Sequence, residues 1–87
     1  MLVEDTRTPE RILELVRVIV ATELDVSLDG FDDHASLRRK YNLDSVAAIN
    51  ILFALENEFQ IEIDTAAIAN VDTALQIRDF LVTLLNR

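Results

Sequence analysis

The run from Ser45 to Phe59 is apolar at ten of its fifteen positions, contains neither Gly nor Pro, and has only Glu56 and Glu58 as charges. Its length and the absence of breakers predict a helix, and a helix needs only one apolar face to join a core. At 100° per residue, Ala48, Ile51, Leu52, Leu55 and Phe59 form one stripe. Val46, Ile49 and Phe53 form a second, centred about 140° away. One stripe packs a core; the other either meets a short neighbouring element or stays open around Ser45 as a docking surface. A chain built around such a helix is a small bundle.

The rest of the chain supplies the partners. Thr8 as N-cap, Pro9 at the first helical position and Glu10 in the first turn predict a helix start. Ile12, Val16, Ile19, Val20 and Leu24 then recur on one face, so the first helix spans about 9–24. Residues 25–42 read as a long loop, anchored by Phe31 and Leu37 and returning the chain along the bundle. The second helix runs about 45–59. Gln60-Ile61-Glu62-Ile63 alternates like a strand but has no segment to pair with, so it is expected to be an extended connector. A short third helix is expected at 65–70 and a fourth at 73–85, the latter carrying Leu75, Ile77, Phe80, Leu81, Leu84 and Leu85. The expected fold is all-α: a single-domain four-helix bundle over 1–87 with three longer helices, one short third helix and a long first loop.

Eighty-seven residues leave no room for a second core. The absence of cysteine removes disulfides, thiolate metal sites and a cysteine nucleophile. The start, MLVEDTRTPER, lacks the basic-then-apolar pattern of a signal peptide, and no apolar run reaches membrane-spanning length. The expectation is a cytoplasmic monomer with no membrane insertion. Net charge is −8, and no Lys or Arg occurs between Tyr41 and Ile77, where Asp44, Glu56, Glu58, Glu62, Asp64 and Asp72 lie. Such a surface repels phosphate backbones, which argues against nucleic acid and for partners with basic patches. The same acidity also serves simply to keep an apolar protein in solution.

Three chemistries compete for the polar residues. Ser45 as a catalytic nucleophile needs a base, and the single histidine, His34, lies in a polar loop beside Asp32 and Asp33, so no catalytic residue is expected. Asp25, Ser27, Asp29, Gly30, Phe31 and Asp33 fall on positions 1, 3, 5, 6, 7 and 9 of a calcium-binding loop. Position 12, however, is Ser36 instead of a bidentate Glu, and position 8 is Asp32 where an apolar residue belongs; no metal site is expected. The third is covalent modification. Asp44 suits an N-cap, Asn42 tolerates the left-handed backbone that precedes it, and Ser45 then sits at an anion-friendly helix N-terminus. A phosphate ester on Ser45 would be favoured there, although the Asp44 carboxylate repels it unless a cation screens it. Plain capping by Asp44-Ser45 is the simpler alternative.

The stretch Tyr41-Asn-Leu-Asp-Ser-Val-Ala-Ala-Ile-Asn-Ile-Leu-Phe-Ala-Leu-Glu-Asn-Glu-Phe-Gln-Ile-Glu-Ile63 resembles the acyl carrier protein family. Asp44-Ser45-Val46 matches the family's D-S-L step, with Val for Leu; Leu55-Glu56, Phe59, Ile61 and Ile63 match its L-E-x-x-F-x-I-x-I tail. Ala35-Ser36-Leu37 and the flanking helices also fall where the family places them. The resemblance implies a non-enzymatic carrier with 4′-phosphopantetheine on Ser45, beside Asp44, installed by a phosphopantetheinyl transferase. It would hold acyl or aminoacyl groups as thioesters, be charged by an acyl-loading ligase or acyltransferase, and deliver to acyl-using enzymes of fatty-acid, lipid, polyketide or other specialised biosynthesis. Val46, Ile49, Phe53 and Glu56 would be docking residues. Asn42 replaces the usual Gly, Arg38-Arg39-Lys40 replaces an acidic stretch, and Ala47, Ala48 and Asn50 stand where fatty-acid carriers present acids. These departures point to a specialised carrier with dedicated partners. The alternative is an unmodified helical adaptor that binds through the second helix.

Overall fold

The computed structural model describes residues 8–86; residues 1–7 and 87 of the expected 1–87 domain lie outside the described residues. Helix α1 spans Pro9–Leu24, and the Thr8 hydroxyl caps it by accepting the Arg11 N–H at 3.3 Å. Its face of Ile12, Val16, Val20 and Ala21 is buried, with Ile19 and Leu24 packed at the edge. Asp25 ends the helix in the left-handed conformation, its N–H bonded to the Ala21 and Thr22 carbonyls.

The long first loop differs from the sequence reading in one respect: Leu37–Lys40 forms a helical turn, α2. Four residues cannot hold a helix alone, because nucleation is unfavourable, and long-range contacts supply the difference. Ser36 Oγ caps the turn by accepting the Arg39 N–H at 3.2 Å and donates in turn to the Asp72 carboxylate. Leu37 is buried in the core, and its N–H donates to the Asp72 carbonyl at 2.8 Å. The remainder of the loop is pinned elsewhere. Phe31 and Tyr41 stack with centroids 4.9 Å apart, and the Tyr41 hydroxyl accepts the Asp32 N–H at 2.9 Å.

Helix α3 spans Ser45–Phe59. The connector expected over 60–63 is shorter: Gln60 ends α3 in the left-handed conformation, and residues 61–63 follow without regular structure, with Ile63 buried. Helix α4, Thr65–Ile68, is two residues shorter than expected; Asp64 caps it, its side chain accepting the Ala66 N–H. Helix α5, Ala74–Leu85, begins after Thr73, which forms a capping box with Gln76. All the regular structure among the described residues is helical: three long helices and two short ones. Helix α1 packs against both α3 and α5. Ile51, Leu52 and Leu55 from α3 meet Ala74, Ile77 and Leu81 from α5 in the same core. The Val46–Ile49–Phe53 stripe is largely open to solvent, with Ile49 half-exposed and bordering the recess that α4 also lines.

Candidate functional site

The chain approaches α3 through a sharp bend. Asn42 adopts the left-handed conformation (φ 58°) that its residue type tolerates, and the Leu43 N–H donates to the Leu37 carbonyl at 3.1 Å. Asp44 is the N-cap: its Oδ1 accepts the Ala47 N–H at 2.8 Å and its carbonyl accepts the Ala48 N–H at 2.9 Å. The N–H groups of Ser45 and Val46 are left without partners among the described residues. Ser45 is thereby the first residue of α3, exposed, with a hydroxyl that makes no hydrogen bond among the described residues.

Two adjoining cavities meet at this point. One of about 320 Å³ is bounded by Arg38, Leu43, Asp44, Ser45 and Ala48. The other, about 180 Å³, is mainly apolar and lies between α3, α4 and the segment before α5, with Leu43, Ile49, Leu52, Ile68 and Val71 among its walls. Arg38, Leu43 and Ala48 belong to both. A group attached to the Ser45 oxygen therefore stands beside an apolar recess, and nothing crowds the hydroxyl. Open space around Oγ, unpaired N–H groups at the helix start and a neighbouring cation together fit a phosphate-linked arm.

The expected docking residues do not all lie together. Val46 (68% exposed), Ile49 (49%) and Phe53 (61%) form the open stripe that continues from Ser45. Glu56 shares their helix face at the far end, but its Oε2 accepts the Ile63 N–H at 2.7 Å, fastening the connector to α3. Ala48, expected in the core stripe, is exposed and lines the cavities, because the first turn of α3 lies beyond the core and faces the gap left by the short α4. His34 is exposed in the loop, where its backbone N–H donates to Asp32.

The basic run is largely used within the chain. Arg38 pairs with Asp72 at 3.1 Å and donates to the Ala69 carbonyl at 3.3 Å, tying α2 to the segment between α4 and α5. Lys40 reaches Asp32 at 3.4 Å and lies 5.6 Å from the centre of the Tyr41 ring. Arg39 alone of the three makes no side-chain contact with a partner among the described residues. Part of the calcium-like loop is similarly engaged. Asp25 is a helix terminus, and Asp33 receives two hydrogen bonds from Arg17, at 2.8 and 2.5 Å. No group of three or more potential ligand side chains converges among the described residues.

The Arg17 hydrogen bonds hold the Asp33 carboxyl below its usual range. For Asp72, burial pushes upward, but the Ser36 hydroxyl, the Arg38 N–H and the charges of Arg38 and Arg39 outweigh it, and the net direction is down. A carboxyl depressed in the folded state adds stability that is complete above its unfolded pKa, near 4, and is lost as pH falls through the folded value. Asp33→Asn is accordingly expected to cost about 1–2 kcal/mol at pH 7, discounted because the Arg17 side chain is 37% exposed. The gap from wild type should close below about pH 4. Urea midpoints across pH 3–7 check this, and a gap that persists unchanged at the acid end would contradict it.

The cavity walls at Arg38, Leu43, Ile68 and Val71 were not anticipated from sequence. Leu43, a lone apolar residue between Asn42 and Asp44, was the one local signal available. The others are brought in by the fold.

Comparison with known proteins adds a consistent set of likenesses. Residues 14–81 match the family model described as a phosphopantetheine attachment site. An acyl carrier protein of Thermosynechococcus vestitus is 34% identical over 70 residues, covering 80% of this chain and 86% of that protein. Acyl carrier protein 3 of Ralstonia nicotianae is 30% identical over 70 residues, 80% of each chain. Among solved structures, a free-standing peptidyl carrier protein from an uncharacterized Acinetobacter baumannii secondary metabolic pathway superposes with a TM-score of 0.79, covering 91% of this chain and 98% of that one. At 23% identity, that likeness speaks for the fold.

Proposed function

The chain belongs to the acyl carrier protein family, whose members carry acyl or peptidyl groups on 4′-phosphopantetheine, and from that premise we propose that Ser45 is the residue that bears the arm. Carriers of this family are not enzymes; they work with phosphopantetheinyl transferases and with enzymes that use the acyl group. When bound, the arm supplies a terminal thiol that holds the cargo as a thioester. What the chain itself contributes is placement. Asn42 and Asp44 set the start of α3, Ser45 presents an unhindered hydroxyl, and Leu43, Ala48 and Ile49 form the rim of an apolar recess for the proximal cargo. The observation that supports the assignment is the exposed Ser45 at the wall of the cavity of about 320 Å³, which shares Arg38, Leu43 and Ala48 with the apolar recess. Incubation with coenzyme A and a transferase, followed by digestion, tests it. The added mass belongs on the peptide containing Ser45; its location on Ser27 or Ser36 would reject the assignment.

Docking belongs to the open stripe. Val46, Ile49 and Phe53 present apolar surface without a single charge between Ser45 and Leu55, so contact is dominated by burial in the partner and less by acid–base matching. Glu56 lends its charge to that face while anchoring Ile63. This surface suits a specialised lipid, polyketide or aminoacyl pathway with its own loading ligase or acyltransferase. No helix among the described residues is long and apolar enough to cross a membrane, and the working form is read as a cytoplasmic monomer. Phe53→Glu is expected to shift stability by less than about 0.5 kcal/mol, as an exposed substitution does. It should also lower kcat/KM with a cognate acyl-transfer partner by about tenfold or more. Thermal melts and transfer kinetics decide the matter; a large loss of stability would place the ring in the core.

A further inference from the structure

Asp44 and Ser45 share one cavity, so a phosphodiester on Ser45 Oγ would stand near the Asp44 carboxylate, and like charges at close range disfavour each other. The same cavity supplies a compensating charge. Arg38 is its cationic wall, and Arg38 also borders the apolar recess. Its guanidinium is held rather than loose: one terminal nitrogen faces Asp72 at 3.1 Å and the other faces the Ala69 carbonyl at 3.3 Å. An Arg has five N–H donors, so these contacts leave donors for a third acceptor. The side chain remains 51% exposed, open to such a group.

Resting on the assignment of the arm to Ser45, we propose that Arg38 is a positioning residue that clamps the phosphodiester of the arm, offsetting Asp44 and holding the root of the arm at the junction of the two cavities. Arg matches phosphate oxygens with a planar fork of donors, and its anchorage to Asp72 and Ala69 reduces the ordering required when the phosphate arrives. The two unpaired N–H groups at the start of α3 face the same anion with partial positive charge. Neighbouring Arg39, on the same helical turn, lines neither cavity, which makes it the natural control for mere proximity of charge.

The test is ³¹P NMR of the phosphopantetheine-loaded protein, in wild type and in Arg38→Gln, Arg39→Gln and Asp72→Asn variants. Intact mass first establishes that each is loaded. If wild type takes up no arm, the Ser45 assignment fails and the clamp with it; if loading succeeds, the spectra judge the clamp alone. In wild type the phosphodiester resonance is expected to move with added salt as the Arg38 contact is screened. Arg38→Gln should shift the resonance, narrow it toward that of a freely moving diester, and remove most of the salt dependence. Arg39→Gln should leave it at the wild-type position. Asp72→Asn keeps the cation and the Ala69 anchor while releasing the ion pair, so the shift and its salt dependence should persist, reduced by much less than in Arg38→Gln, with thermal melts showing each variant folded at the temperature of measurement. A signal in Arg38→Gln identical to wild type overturns the proposal. So does an equal change in Arg39→Gln, which would indicate a general field, or in Asp72→Asn, which would assign the effect to the tie between α2 and the α4–α5 segment.

Discussion

Leu55→Ala should remove about 3–5 kcal/mol of stability, the upper part of the range for fully buried leucines. Leu55 is completely enclosed, in a core shared with Ile12, Val16 and Val20 of α1 and Ile77 and Leu81 of α5. Truncating it forfeits the transfer energy of the lost carbons and leaves a hole that long, mutually braced helices cannot readily collapse around. A chain of 87 residues has about 4–13 kcal/mol to lose, so the variant will be marginal at 37 °C. Urea titration checks this through a lower midpoint at unchanged slope. The same truncation at Phe53, two residues earlier but 61% exposed, should cost under about 1 kcal/mol. Near-equal losses at the two positions would contradict the division of α3 into a core stripe and an open one.

The two stripes were legible in the sequence because they follow from helical geometry alone, whereas the openness of the Val46–Ile49–Phe53 stripe was one of two alternatives that only the placement of α4 decides. The long helices were legible for a similar reason: Thr8-Pro9 and the cap at Asp44 lie beside the residues they act on. Thr73 was also visible, though as the first residue of α5 instead of its cap. What the sequence could not display is whatever depends on distant segments. The turn at Leu37–Lys40 exists because Asp72, 36 positions after Ser36, receives its hydroxyl. In the sequence Arg38 and Lys40 stand out only as part of a basic run where an acidic stretch is usual; in the fold Asp72, Ala69, Asp32 and Tyr41 engage them. Ala48 has the helical angle of a core residue and yet is exposed, because it precedes the level at which α3 meets the core. The cavities are likewise a product of assembly. Their walls come from α2, α3, α4, the segment before α5 and, through Ile77, α5 itself; besides Asp44 and Ser45, only Leu43 adjoins the motif.

Ser45→Ala is the second substitution with a large effect, and the effect is on chemistry. The exposed hydroxyl makes no hydrogen bond among the described residues, and the cap of α3 is supplied by Asp44, which the substitution leaves in place. Alanine is also the best helix former at an exposed helical position. Stability should therefore change by no more than about 0.5 kcal/mol, while the capacity to carry an arm should be lost altogether. A shortfall in folding would implicate the hydroxyl in an interaction that the geometry does not contain.

The most direct measurement is intact-protein mass after incubation with coenzyme A, magnesium and a broad-specificity phosphopantetheinyl transferase, with wild type and Ser45→Ala side by side. Wild type is expected to gain the mass of one phosphopantetheinyl arm, and the variant, equally folded, to gain none. An arm on the variant, or none on wild type with any of several transferases, would contradict it.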